Sequence, residues 1–326
     1  MRAIRLHTFG PAENLTLDEV DDPRPGPGQV SIAVRAAGVH LLDTALREGF
    51  RGPSPELPAL PTVPGREVAG VVDGLGEGTP ARWLGRRVVV HLGFAPGGYA
   101  ERAVADAARV HEIPADLGFA EAVAMIGTGR TAVGILQFAD LGPGSVAVVP
   151  AAAGGIGTLL VQYAKHAGAT VVGLAGGPEK VARVAANGAD LAVDYTDPRW
   201  PAEVRGHLGG DTATVVFDGV GGDVAREAVA LLAPGGRHLV FGWSGEGLRD
   251  GAPYLVDGVS QQVLGPVMME RAGGENPLRT LELRALAEAA AGRLTPAVQR
   301  FPLARAAAAH RALETRRTTG KVVLEP

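Results

Sequence analysis

The segment Val146-Ala-Val-Val-Pro-Ala-Ala-Ala-Gly-Gly-Ile-Gly157 constrains the fold more than any other stretch of the chain. Apolar residues at 146–149 lead into a run of alanine and glycine, and apolar side chains then recur at 156, 159, 160, 163 and 164. The first pattern is that of a buried strand, the second that of one face of a helix. A strand that enters a helix through residues with little side chain leaves the first helical N–H groups open, and their partial positive charge attracts an anion. Set against G-x-G-x-x-G, the residues are Ala152, Gly154 and Gly157, with alanine at the first glycine position. Such a turn holds a dinucleotide pyrophosphate when a strand precedes it, a helix follows it and further βα units continue the pattern.

The pattern does continue. From about residue 118, strand-length runs alternate with helix-length segments at 145–150, 156–167, 170–174, 178–187, 214–218, 223–232 and 237–242. Alternation of this kind predicts a parallel sheet with helices on both faces. The first third differs: short apolar runs at 29–36, 68–72 and 86–92 are separated by Pro-rich and Gly-rich connectors at 23–28 and 53–65, which predicts β structure. The tail reads as a helix at 277–291, then short strands at 299–303 and 321–324 around an alanine-rich helix at 303–315. With 326 residues and 46% apolar composition, two cores are expected. We expect residues 1–117 and 270–326 to form one domain and residues 118–269 a second one inserted into it.

Several function classes are excluded. A net charge of -4 offers no basic surplus for nucleic acid, and the absence of cysteine removes disulfides, thiolate zinc ligands and a cysteine nucleophile. No charged residue lies between Asp140 and Lys165, but Gly142, Pro143, Gly144, Pro150, Gly154, Gly155 and Gly157 divide that run into turns, a strand and a helix, so no membrane span is expected there. No apolar leader precedes Glu13, and a cytoplasmic protein is expected.

The strand at 171–175 bears on the choice of nucleotide. An NAD site places Asp or Glu about 20 residues beyond the turn, on the ribose hydroxyls. Here the strand ends in Gly176-Gly177, no acid occurs before Glu179, and Lys180 follows at once in a chain whose other lysines are Lys165 and Lys321. Without that carboxylate and with a lysine near, a 2′-phosphate is favoured, hence NADPH.

The chain resembles the zinc-independent quinone oxidoreductases of the medium-chain dehydrogenase/reductase superfamily. The resemblance rests on Pro25-Gly-Pro-Gly-Gln-Val30, Ala36-Ala-Gly-Val39, Val63-Pro-Gly-Arg-Glu-Val-Ala-Gly-Val71, Gly97-Gly-Tyr-Ala-Glu101, Ala151-Ala-Ala-Gly-Gly-Ile-Gly157, Gly177-Pro-Glu-Lys180, Asp218-Gly-Val-Gly-Gly222, Leu232-Ala-Pro-Gly-Gly236 and Thr319-Gly-Lys-Val-Val-Leu324, which run in order through nearly the whole chain. It implies an α/β protein: a GroES-like distorted β-barrel catalytic domain, a Rossmann domain with a doubly wound parallel sheet, a cleft between them, and a homodimer. It also implies NADPH contacts at Thr128, at Gly154, Gly155, Ile156 and Gly157 for the pyrophosphate, and at Gly176, Lys180 and Tyr195 for the 2′-phosphate. Phe241 and Gly242 are implied near the nicotinamide and Lys321 at the cleft edge. Tyr195 reads equally well as an aromatic at a strand end.

Where zinc-dependent relatives carry Gly-His-Glu, this chain has Gly65-Arg66-Glu67, so no catalytic metal is expected. Where the zinc-independent branch shows asparagine, it has His40, with Asp43 three residues on. His40 is the candidate partner of the substrate oxygen, as proton donor or as a neutral hydrogen-bonding substitute for the amide, and Asp43 the candidate that orients it. Metal ligation by His40, Asp43 and Glu67 is a third alternative. The implied reaction is hydride transfer from NADPH to a quinone or enone; the alternatives are enoyl-thioester or other double-bond reduction, and an NADPH-binding sensor or structural protein without turnover. The loops at 49–61 and 243–260 are expected to shape the acceptor pocket.

Overall fold

The computed structural model describes residues 1–50, 57–93, 95–210, 212–242, 244 and 255–326. In chain order its strands are β1 (Arg2–Leu6), β2 (Leu15–Glu19), β3 (Gln29–Val39), β4 (Glu67–Leu75), β5 (Arg87–His91), β6 (Arg102–Asp106), β7 (His111–Glu112), β8 (Val146–Val149), β9 (Thr170–Ala175), β10 (Leu191–Asp194), β11 (Ala213–Asp218), β12 (Leu232–Val240), β13 (Ser260–Gln262), β14 (Val298–Pro302) and β15 (Lys321–Glu325). They belong to two compact units, Met1–Thr128 with Pro296–Pro326, and Gly129–Thr295.

In the first unit β3 is the organising element, because its long apolar sequence QVSIAVRAAGV is buried at most positions. It pairs antiparallel with β4, β6 and β15, and the sheet runs β14-β15-β3-β4-β5-β7. Val322 lies opposite Val39 and Leu324 opposite Ala37, so residues from the two ends of the chain share one ladder. Val30, Ile32 and Val34 pack in one core with Ile4, Leu6, Val68, Val90, Tyr99 and Leu324. Burying each large aliphatic side chain contributes about 1.5–3 kcal/mol relative to exposure.

In the second unit every strand pair is parallel and the order is β10-β9-β8-β11-β12-β13. Counted from β8, that is 3-2-1-4-5-6, the doubly wound order, with its switch point between β8 and β11. The interiors of β8 and β9 are apolar throughout, valine, leucine, alanine and glycine, because both faces of a parallel sheet are covered. Val148, Val172, Leu174 and Val216 share a core with Trp200 and Val204 of the helix Trp200–Leu208.

The unit limits differ from the expected breaks at 118 and 270. The helix Phe119–Ala124 packs on β3 and β4 and stays with the first unit, whereas the helix Pro277–Ala290 packs on the helices Arg130–Leu136 and Pro266–Ala272 and stays with the second. The segment 140–165 is broken as its glycines and prolines predict, into β8 and the helix Gly155–His166. A different stretch, Phe119–Leu136, is long and apolar enough to cross a membrane; 72% of it is buried inside the protein, as in a core helix.

Candidate active site

Within the second unit, β8 delivers Ala151 into a left-handed conformation (φ 52°), and Gly154 caps the helix Gly155–His166 in an extended one. A Cβ on Gly157 would run into the Ala151 carbonyl oxygen and come within 2.7 Å of Ala152 Cα, so only glycine lets this first helical turn fold back on the strand end. A Cβ on Gly154 would meet nothing closer than the Ala151 oxygen at 3.2 Å, leaving its outer face clear. The helix presents its first N–H groups at the carboxyl edge of the sheet, beside the switch point. This cradle fits a pyrophosphate.

At the neighbouring βα turn Gly176 meets Tyr195, and Lys180 lies in the first turn of the helix that follows. Gly177 (φ 86°) starts the helix Pro178–Ala186, and the position of a Gly176 Cβ lies 3.2 Å from the Tyr195 hydroxyl oxygen. No carboxylate ends β9. The acid at the end of β10, Asp194, accepts the Gly177 N–H (3.0 Å), the Thr196 N–H (2.9 Å) and the Thr196 hydroxyl (2.6 Å), contacts that hold its carboxyl below the usual range. Asp194 thus braces the loop that carries Gly176. Phe241 and Gly242 follow β12; the Phe241 N–H donates to the Asp218 carbonyl at 2.8 Å, and a Cβ on Gly242 would sit 2.9 Å from the Gly219 oxygen.

Within the first unit, β3 runs out at Val39 and His40 begins the helix Leu41–Arg47, with the Asp43 carboxylate accepting the His40 backbone N–H at 2.9 Å. This helix start fixes His40 and Asp43 together. The ring then faces two carboxylates, Glu67 Oε1 at 2.8 Å from Nε2 and Asp43 Oδ2 at 3.6 Å from Nδ1. Glu67 opens β4 and is fully buried, and its other oxygen lies 2.8 Å from the Lys321 ammonium, which opens β15. Isolated burial of a carboxylate costs several kcal/mol, which explains why two cationic groups converge on this one.

The shifts follow from this crowding. Burial drives the His40 pKa down and Lys321 adds to that, but the attraction of Glu67, with Asp43, outweighs both and the net shift is upward. Burial would raise Glu67 and Asp43, yet His40 and Lys321 hold Glu67, and His40 and Arg66 hold Asp43, well below the usual carboxylate range. Arg66 Nε lies 3.5 Å from Asp43 Oδ1, and the Tyr99 hydroxyl donates to Asp43 Oδ2 at 2.9 Å. Behind Tyr99 stands His310 (3.3 Å), and behind it the buried Arg47 (3.5 Å), which also donates to the Gly10 carbonyl and pairs with Glu314. Burial pushes the His310 ring down to about 4. Gly127 is the tightest point of the cluster: a Cβ there would land on Glu67 Oε1 and lie 3.2 Å from His40 Nε2.

The structure brings His40 and Asp43 together, and sets Thr128 in the π-helical turn Met125–Gly129, one residue after Gly127. Lys321 stands apart from the expected cofactor set: it is only 4% exposed and ion-paired with Glu67. Metal ligation by His40, Asp43 and Glu67 does not fit either, since Lys321 already faces Glu67 and no group of three or more ligating side chains could hold an ion among the described residues. Of the loops expected to shape the acceptor pocket, 51–56, 243 and 245–254 lie outside the described residues. Sequence reasoning passed over Gly127, Tyr99 and His310, which no short motif joins to His40. Lys321 was marked by its rarity and by the resemblance, which set it at the cleft edge and not against Glu67.

Comparison with known proteins agrees with this architecture. Residues 26–115 match the alcohol dehydrogenase GroES-like domain family and residues 155–275 the zinc-binding dehydrogenase family. A quinone oxidoreductase from Pseudomonas aeruginosa is 32% identical, covering 100% of this chain and 99% of its own. A 2-haloacrylate reductase from a Burkholderia species is 31% identical, covering 98% of each chain. The crystal structure of Escherichia coli quinone oxidoreductase complexed with NADPH superposes with a TM-score of 0.85 at 26% identity, over 100% of both chains. This chain therefore belongs to the quinone oxidoreductase-like branch of the medium-chain dehydrogenase/reductase superfamily and is an oxidoreductase.

Proposed function

We propose that the protein reduces a quinone or related enone with NADPH, without a metal, the first unit acting as the catalytic domain and the second as the nucleotide-binding domain. The observation that carries this reading is the pairing, in one chain, of a glycine cradle at the sheet switch point with a buried cluster centred on His40. Gly154, Gly155, Ile156 and Gly157 would hold the pyrophosphate, Gly176, Lys180 and Tyr195 the 2′-phosphate, and Phe241 and Gly242 the nicotinamide end, with Thr128 a further NADPH contact. When bound, NADPH supplies the hydride. His40 then meets the negative charge that grows on the acceptor oxygen, and Asp43 holds the ring at the helix start. Arg66 and Lys321 offset the two carboxylates, so the cluster has no surplus anion to repel that charge.

A second reading, reduction of a C=C bond conjugated to a carboxylate, is favoured by the two cationic side chains Arg66 and Lys321, which balance Asp43 and Glu67 beside a His40 ring whose pKa is raised. A nucleotide-binding protein without turnover is disfavoured, because relatives matching along the whole chain bear the names of reductases. We further propose a cytoplasmic homodimer. The test is an oxidation panel with NADPH and NADH against quinones, neutral enones, enoyl thioesters and acrylates. NADPH-dependent turnover of quinones or enones is expected; turnover of acrylates alone would move the assignment to the second reading, and equal use of NADH would overturn the nucleotide choice.

A further inference from the structure

We propose that His238 is a positioning residue for the nicotinamide end of the nucleotide site: it ties the turn 218–222, against which Phe241 and Gly242 pack, to the segment 256–260. This rests on the placement of Phe241 and Gly242 given above. In β12 the residues after His238, Leu239 and Val240, are apolar and fully buried, and the His238 ring is fully buried with them. A polar ring in such a place costs stability unless its nitrogens are bonded. Both are. Ser260 lies opposite His238 in the β12–β13 ladder, and its Oγ stands 2.8 Å from Nδ1. Asp218 lies opposite Val240 in the β11–β12 ladder, on the same face as His238 two residues earlier, and its Oδ2 stands 3.1 Å from Nε2. A carboxylate only accepts, so the hydrogen of the neutral ring sits on Nε2. The Ser260 hydroxyl then donates to Nδ1 while its oxygen accepts the Val256 N–H at 2.8 Å.

Asp218 passes this constraint on. It is fully buried, and its other oxygen accepts the Val220 N–H at 2.8 Å and the Gly221 N–H at 2.9 Å, which shapes the turn ahead of the helix Gly222–Val229. The same turn grips the end of β12 through the Asp218 carbonyl, which accepts the Phe241 N–H at 2.8 Å, and through the Gly219 carbonyl, which accepts the Ser244 N–H at 3.1 Å and the Ser244 hydroxyl at 2.9 Å. A Cβ on Gly219 would lie 2.5 Å from the Phe241 ring, so the two segments touch without slack. Removing the Nε2–H leaves a buried carboxylate oxygen without its side-chain donor, and the carboxylate can recover a partner only by turning within the loop it shapes. Phe241 and Gly242 then lose a fixed seat. The pyrophosphate cradle, built on β8 and the helix Gly155–His166, takes no part in these bonds.

The test is calorimetric binding of two ligands to the full-length protein: NADPH, and adenosine 2′,5′-bisphosphate, which keeps the adenosine and the 2′-phosphate but has no nicotinamide. His238→Leu should weaken NADPH about tenfold and change the fragment by less than about twofold. His238→Gln, whose amide can donate to Asp218, should restore most of the NADPH affinity. Ser260→Ala, which leaves Nδ1 without its donor, should weaken NADPH alone, by about threefold. Equal losses for both ligands in His238→Leu would mark a merely structural residue and overturn the proposal, as would no loss for either. Circular dichroism reports folding; should His238→Leu fail to fold, Ser260→Ala decides, a loss for NADPH alone supporting the proposal and no such loss overturning it. A wild-type protein that binds NADPH no more tightly than the fragment would sink the placement of Phe241 and Gly242 and the proposal with it. A wild-type preference for NADPH that survives His238→Leu overturns the proposal alone.

Discussion

In the unit Gly129–Thr295 the candidate phosphate cradle is built of backbone, whereas in the unit formed by Met1–Thr128 and Pro296–Pro326 the candidate chemistry is carried by side chains from widely separated segments. The cradle needs a strand end, a glycine turn and a helix start, all within 146–166. The cluster needs His40 and Asp43 from one helix start, Arg66 and Glu67 before and at the head of β4, Tyr99, His310 and Lys321. The contrast teaches that a backbone site tolerates most changes except an added methyl group, while a buried charge cluster fails as a unit once one member is displaced.

The hardest test of that contrast is Gly127→Ala. Its methyl group would fall on Glu67 Oε1 and part the carboxylate from His40 and Lys321. Leaving a buried charge unpaired costs about 3–5 kcal/mol, which urea denaturation would register; a loss under about 1 kcal/mol would mean the cluster is loose. Next comes acid. The buried His310 ring titrates near 4 in the folded protein and about 6.5 in the unfolded chain, so the unfolded state holds the extra proton between those values. Stability should therefore fall by about 3 kcal/mol as pH drops through that window, and His310→Gln should flatten the slope. Glu67 and Asp43, both lowered, add to the loss at still lower pH.

In the other unit the effects should be read chiefly in nucleotide affinity, although the backbone clash at Gly157 should also cost stability. Gly157→Ala sets a methyl group against the backbone of Ala151 and Ala152 and should weaken NADPH about a hundredfold by calorimetry, about 2.7 kcal/mol. Lys180→Ala should lower the preference for NADPH over NADH about tenfold. If instead Gly157→Ala unfolded the protein while Gly127→Ala did not, the comparison would be reversed.

The same contrast explains what could be read in advance. The doubly wound unit was legible because each strand, turn and helix is written in consecutive residues, although the four-residue β10 and the helix Trp200–Leu208 were too short or too mixed to stand out. His40 and Asp43 were legible as a pair through the resemblance, at the positions that follow Ala36-Ala-Gly-Val39, and the helix start explains why they lie together. Glu67 was joined to them only as a metal ligand, and the partners Tyr99, His310 and Lys321 were not joined to them at all. Lys321 lies 254 positions from Glu67, and only the insertion of β15 between β14 and β3 brings them within an ion pair. No local periodicity encodes such a meeting, and the resemblance set Lys321 at the cleft edge without joining it to Glu67.

The position of β15 also has a bearing on how the protein is made. All of Gly129–Thr295 leaves the ribosome before Lys321 does, so the doubly wound unit can close while the other sheet still lacks its central partner for β3. Until those residues arrive Glu67 has no ammonium beside it, and the nascent protein carries a nucleotide fold ahead of a completed charge cluster. Completion of the candidate charge cluster is thereby tied to the docking of β15 on β3.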